Sequence, residues 1–92
     1  MIRDFKSKGL RELFETGTSS KINASLHRRI LVRLDALNVT ASPPELNVPG
    51  FDFHALRGFD PTRYSIHVNG PWCITFAFDG LDAIQVDFEQ YH

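Results

Sequence analysis

The sequence predicts an α+β domain in which two helices from the N-terminal half pack on one face of a small antiparallel sheet. Three observations lead there. Apolar residues recur at helical spacing through the first half, the period changes to two in the second half, and turn-forming dipeptides separate the alternating runs. The chain has 92 residues, enough for one domain over 1–92. A domain so small buries a modest fraction of its surface, so its core must use most of its apolar side chains. The 42% hydrophobic content, with eight Phe, meets that need and argues against disorder.

The elements follow in order. Ile2 to Phe5 can form a short first strand. Leu10, Leu13 and Phe14 then fall on one face of a short helix, and Gly17 suits its C-terminal stop. Thr18-Ser19-Ser20 offer turn and N-cap hydroxyls for a longer second helix, whose stripe is Ile22, Leu26, Ile30, Leu34 and Leu37. Arg33 falls within that stripe. It must lie near the end of the buried patch or lift its charge into solvent along its stem. Ser42-Pro43-Pro44 ends the helix, because proline lacks the donor and disfavours helical geometry before it.

A strand is expected around Phe53 to Arg57. Tyr64, Ile66 and Val68 then alternate with Arg63, Ser65 and His67, and Trp72, Ile74, Phe76 and Phe78 with Cys73, Thr75 and Ala77. Ile84, Val86 and Phe88 close the series. Asn69-Gly70 and Asp79-Gly80 favour the left-handed conformations of tight hairpins. The face led by Trp72 and Phe76 should receive the helix stripe. The other face then presents Arg63, Ser65, His67, Cys73 and Thr75.

Several classes of protein are disfavoured. No apolar run approaches the roughly 20 residues of a membrane helix. Cys73 is the single cysteine and has no internal disulfide partner. With no signal-like segment after Met1-Ile2-Arg3-Asp4, a cytoplasmic location is expected. Four scattered histidines and one cysteine show no metal-ligand spacing, and no glycine-rich phosphate loop is present, so neither metal nor cofactor is expected. The net charge of −1 hides an asymmetry: residues 1–42 carry +4 and residues 43–92 carry −5. A polyanion would be drawn to the first region, where Lys6, Lys8, Arg28 and Arg29 lie. The same clustering also suits an ordinary solvated helix face.

Cleaving RNA without a metal requires a base for a ribose 2′-hydroxyl, cations for the phosphate and an acid for the departing oxygen. Histidine suits proton transfer and arginine suits phosphate. His54, His92 and Arg57 therefore qualify, with Tyr91 as a bonding or stacking partner. His54 and Arg57 cannot both face one side of a regular strand, so one belongs at a bulge or strand end. Structural alternatives stand beside each role. His54 can be a surface strand histidine, His92 a frayed terminus, and Tyr91 an anchor with a buried ring. His67 and Cys73 flank the Asn69-Gly70 turn but lack the orienting carboxylate of a nucleophile pair.

Four segments together resemble the HigB toxins of the RelE/ParE superfamily: MIRDFKSKGLRELFETG at the start, Leu56-Arg57-Gly58, Tyr64 through Phe76, and the ending Val86-Asp87-Phe88-Glu89-Gln90-Tyr91-His92. The resemblance runs nearly end to end. It implies a RelE-like fold and a toxin of a type II toxin–antitoxin system. It further implies a ribosome-dependent endoribonuclease that cuts messenger RNA at the A site, with a HigA-like helix-turn-helix antitoxin as partner. His54 matches the family's histidine in its His-Pro-Leu-Lys-Gly segment, with Ala55 in place of proline, and Arg57 stands where lysine is common. Tyr91 and His92 match the closing Tyr-His implicated in cleavage.

Two positions depart from the pattern. Cys73 stands where the family has an arginine, and Gln90 where it has an aspartate. His67 is expected to supply part of the charge to RNA that is lost at Cys73. The segment Gly58-Phe59-Asp60-Pro61-Thr62-Arg63 also lacks the family's Gly-Asp-Arg pattern, and Arg63 is expected to supply that charge from a shifted position. The other functions implied are gyrase inhibition, as in the ParE branch, and a catalytically weakened toxin that acts mainly by binding its antitoxin.

Overall fold

The computed structural model describes residues 1–91. Helix α1 spans Lys8–Thr16 and α2 spans His27–Val39. Strands β1 (His54–Leu56), β2 (Arg63–Asn69), β3 (Trp72–Asp79) and β4 (Asp82–Gln90) form one antiparallel meander in sequence order. The α+β architecture is the one the two periodicities predict.

Helix α1 starts where the Ser7 hydroxyl accepts the amide hydrogen of Leu10 at 3.1 Å. It stops at Gly17, whose φ of 88° is the left-handed cap that a side chain would strain. Leu10 and Leu13 are fully buried, and Gly9 sits so close to Ile22 that an added Cβ would approach its Cγ1 to 3.1 Å. The second helix begins later than Thr18-Ser19-Ser20 suggests. Ser19 instead accepts from Lys21 in a turn, and the Asn23 side chain accepts from Ser25 to cap a 3₁₀ turn, Ala24–Leu26, that leads into α2. Ile22 thus lies outside the helix yet stays buried beside Leu26, Ile30, Leu34 and Leu37.

Helix α2 ends at Val39, and Pro43-Pro44 open a second 3₁₀ turn, Pro43–Leu46. Glu45 closes the junction. One of its oxygens accepts from Ala41 N at 2.7 Å and Thr40 Oγ1 at 2.9 Å, and these two bonds, the amide first, hold its carboxyl below the ordinary range. A carboxyl depressed in the folded state stabilises above its unfolded pKa of about 4.3 and loses that contribution as pH falls through the folded value. Glu45→Gln is therefore expected to flatten the acid limb of stability against pH, read as urea midpoints between about pH 3 and 7. An unchanged limb would show that the bonds do not discriminate between the two protonation states.

The sheet lays Ile66, Val68, Ile74, Phe76 and Val86 against Leu10, Leu13, Ile30, Leu34 and Leu37, all at most 1% exposed. Phe76 is central. Trp72 is only partly buried at the end of this face, stacked on Phe88 with centroids 4.6 Å apart. The β4 alternation differs from the expected one. Ile84 is opposite Ala77, but Asp87 is opposite Thr75, so the segment after Ile84 holds one extra residue. Gln85, with φ of 51°, lies in that bulge. Ala83, Val86 and Phe88 consequently join the core cluster or pack against it, while Ile84 shares the Ala77 side.

The expected first strand is present as two parallel bridges, Ile2 to Ala83 and Phe5 to Val86. The ladder breaks between them at the bulge, where the Asp4 carboxylate accepts the Gln85 amide hydrogen at 2.7 Å.

Arg33 settles differently from the solvent-lifted arrangement. It is 9% exposed, and its guanidinium donates to the carbonyls of His67 at 2.5 Å, Arg29 at 3.0 Å and Gly50 at 3.1 Å. Its Cζ sits 4.8 Å from the centroid of the Phe51 ring.

Candidate functional site

Strand register alone aligns the polar face. His54 is opposite Ser65, Ser65 opposite Thr75, and Thr75 opposite Asp87, so those four side chains leave the sheet on one side. The next row is His67, Cys73 and Glu89. An open hollow of about 650 Å³ lies on this side, lined by Asp52, His54, Leu56, His67, Gly70, Pro71, Cys73 and Tyr91.

Backbone bonds hold the rim. The amide hydrogen of Tyr91 goes to Pro71 O at 2.6 Å, which fastens the residue after β4 to the β2–β3 turn. The amide hydrogen of His67 goes to Phe51 O at 2.6 Å, and its carbonyl receives Arg33 from behind. His67 Nε2 is 3.0 Å from Gly70 O, and His54 Nδ1 is 2.9 Å from Asp52 O. A carbonyl only accepts, so these ring nitrogens carry the protons. His54 thus keeps Nε2 available to a ligand.

The floor of the face is a polar network. Arg63, 7% exposed, donates through Nη2 to Thr75 Oγ1 and to Gln85 O, both at 3.0 Å. Thr75 donates to Glu89 Oε1 at 3.1 Å. Burial pushes the Cys73 thiol up, with a smaller opposing effect from Ser65 and additions from Asp52 and Glu89. A thiol that keeps its proton is a poor nucleophile. The Ser65 hydroxyl is buried without a hydrogen-bond partner among the described residues, its polar neighbour being that weakly bonding thiol. Burial, then the Glu89 carboxylate, raise the Tyr91 phenol, against a smaller opposing effect from Arg63. Tyr91 therefore remains a hydrogen-bond donor at neutral pH.

The structure brings His54, His67 and Tyr91 to the hollow. Arg63 lies at the far end of the same face, directed into the network. Arg57 follows β1 in an exposed turn and is outside the lining. His92 lies outside the described residues. Lys6, beside Val86 at the outer edge of β4, and Lys8, at the start of α1, are both exposed. Arg28 and Arg29 are on α2, around a shallower depression with Ser25, Val32 and Arg33. The four cations thus belong to two places on the helical side and edge. Asp52 and Glu89 are the residues the sequence reading missed. Glu89, two residues before Tyr91 on an alternating strand, was traceable by parity; Asp52, in a loop with φ of 45°, carried no such signal.

Among the described residues, no group of three or more His, Cys, Asp or Glu side chains is placed to hold a metal. No described helix is long and apolar enough to cross a membrane.

A meander backed by two helices, with imidazole, phenol and guanidinium groups on its open face, defines a small RelE-like toxin domain, and comparison with known proteins agrees. Residues 3–92 match the family model of HigB-like toxins, described as the RelE-like toxin of the type II toxin–antitoxin system HigB. The chain is 40% identical over 92 residues to a protein named Endoribonuclease HigB from Proteus vulgaris, covering all of both sequences. The chain belongs to the HigB-like toxin family. As a toxin of a type II system, it has an antitoxin partner.

Proposed function

We propose that this toxin is an endoribonuclease that cuts messenger RNA at the ribosomal A site by metal-independent attack of a ribose 2′-hydroxyl. The observation that carries the reading is the grouping of His54, His67 and Tyr91 around one open hollow, in a chain 40% identical to a protein named an endoribonuclease. His54 and His92 are assigned proton transfer, Arg57 the phosphate, and Tyr91 the positioning of RNA. Arg63 and His67 add charge and hydrogen bonds on the sheet face. Lys6, Lys8, Arg28 and Arg29 bind RNA backbone outside the hollow, so affinity should fall steeply with salt. The antitoxin is a HigA-like helix-turn-helix protein, and the toxin acts in the cytoplasm.

Purified toxin added to ribosomes programmed with a short message is expected to release truncated RNA ending in a 2′,3′-cyclic phosphate. Co-addition of the antitoxin should suppress it. Intact message after incubation with programmed ribosomes overturns the reading.

A further inference from the structure

The Thr75 hydroxyl stands between charges of opposite sign on three successive strands. Arginine only donates and a carboxylate only accepts, so Thr75 must take a hydrogen from Arg63 and give its own to Glu89. Thr75 is fully buried and Arg63 is 7% exposed, whereas Glu89 is only partly covered. Glu89 is not itself in the lining of the hollow but stands directly behind it on the same face. Its register partner Cys73 and its near neighbour Tyr91 both line the hollow. The network thus fixes an anionic oxygen beside the hollow and a guanidinium one hydroxyl away.

Transfer of a 2′-hydroxyl proton needs a group that arrives without one. The His54 ring keeps its Nδ1 hydrogen on Asp52 O and, when protonated at Nε2, offers that second proton outward. A carboxylate complements it: one group accepts the proton and the other donates one. Resting on the ribonuclease reading, we propose that Glu89, in place of His92, is the proton acceptor of this site, with Thr75 and Arg63 as its positioning residues and His54 as the acid.

The Glu89 carboxylate takes the hydrogen of the 2′-hydroxyl as the 2′ oxygen bonds to phosphorus. The bond from phosphorus to O5′ breaks with its electron pair on O5′, and the His54 imidazolium delivers the proton that O5′ needs. The products are a 2′,3′-cyclic phosphate and a 5′-hydroxyl. Glutamate has gained one proton and histidine lost one.

The test measures cleavage on programmed ribosomes against pH for the wild type, Glu89→Gln, Glu89→Asp and Thr75→Val. Glutamine still accepts from Thr75 but cannot take a proton, so Glu89→Gln is expected to lose about 100-fold or more and its acid limb. Glu89→Asp should retain an acid limb at reduced rate. Thr75→Val, which deprives the carboxylate of a donor, should move that limb to higher pH. Glu89→Gln within about threefold of wild type, with the same profile, overturns the proposal. If Glu89→Gln fails to fold, a Glu89→Asp profile without an acid limb overturns it instead. An inactive wild type removes the ribonuclease reading itself, an outcome distinct from an active wild type matched by Glu89→Gln.

Discussion

His54→Ala is expected to lower the cleavage rate on programmed ribosomes by about 10³-fold, within the range that positioned acid–base groups contribute. The side chain stands on β1, exposed, and its one recorded bond is from the ring to the Asp52 carbonyl. Nothing in the core depends on it, so the thermal midpoint should stay within about 4 °C, the effect of a surface substitution. The alkaline limb of the pH profile should vanish, because an acid must be protonated to act and its removal abolishes the decline as pH rises. His67→Ala is the control. That imidazole faces the Gly70 carbonyl and stiffens the turn, so its loss should cost less rate and leave both limbs. Equal losses for the two variants, with both limbs intact, would deny His54 the proton-transfer role.

Arg33→Ala is expected to destabilise the fold by about 3 kcal/mol, measured by urea denaturation, from lost charge-assisted bonds and lost stem packing. Three carbonyls would lose a cationic donor, two of them outside the helix at His67 and Gly50. Lysine should not rescue it, because a compact ammonium cannot reproduce the planar fork. The effect should also reach the site. Arg33 holds the carbonyl of His67, and Gly50 lies in the loop that carries Asp52 toward His54. Arg33→Ala is therefore expected to slow cleavage well below its own midpoint. A loss under about 1 kcal/mol would mean that water replaces the guanidinium at little cost.

Much of this was legible because periodicity is a local property. The Leu10-Leu13-Phe14 face, the alternation through Trp72-Phe78 and the two glycine-bearing turns are set by neighbours in sequence, and the structure follows them. The shared side of Ser65 and His67, and that of Cys73 and Thr75, follow from the same alternation, whereas His54 joins them only through the pairing of β1 with β2. What escaped depends on tertiary partners. The Thr-Ser-Ser hydroxyls do not open α2, because Asn23 caps a 3₁₀ turn that intervenes before its first residue. Arg33 reads as a charge needing solvent until the carbonyls of β2 and the Gly50 loop are in place to receive it. Arg57 stays outside the lining: at three residues from His54 a continued strand would turn it to the other face, and it follows the end of β1 in an exposed turn.

One inserted position governs the phase of the chain's last segment. Were Gln85 paired in the regular ladder instead of bulged out, with Ile84 still opposite Ala77, Val86 and Phe88 would move onto the open face and Asp87 and Glu89 would turn toward the helices. Carboxylates would meet leucine, and the hollow would be walled by hydrocarbon. An interruption in the ladder thus lets a single strand serve a dry interior at its middle and an aqueous chemistry at its end.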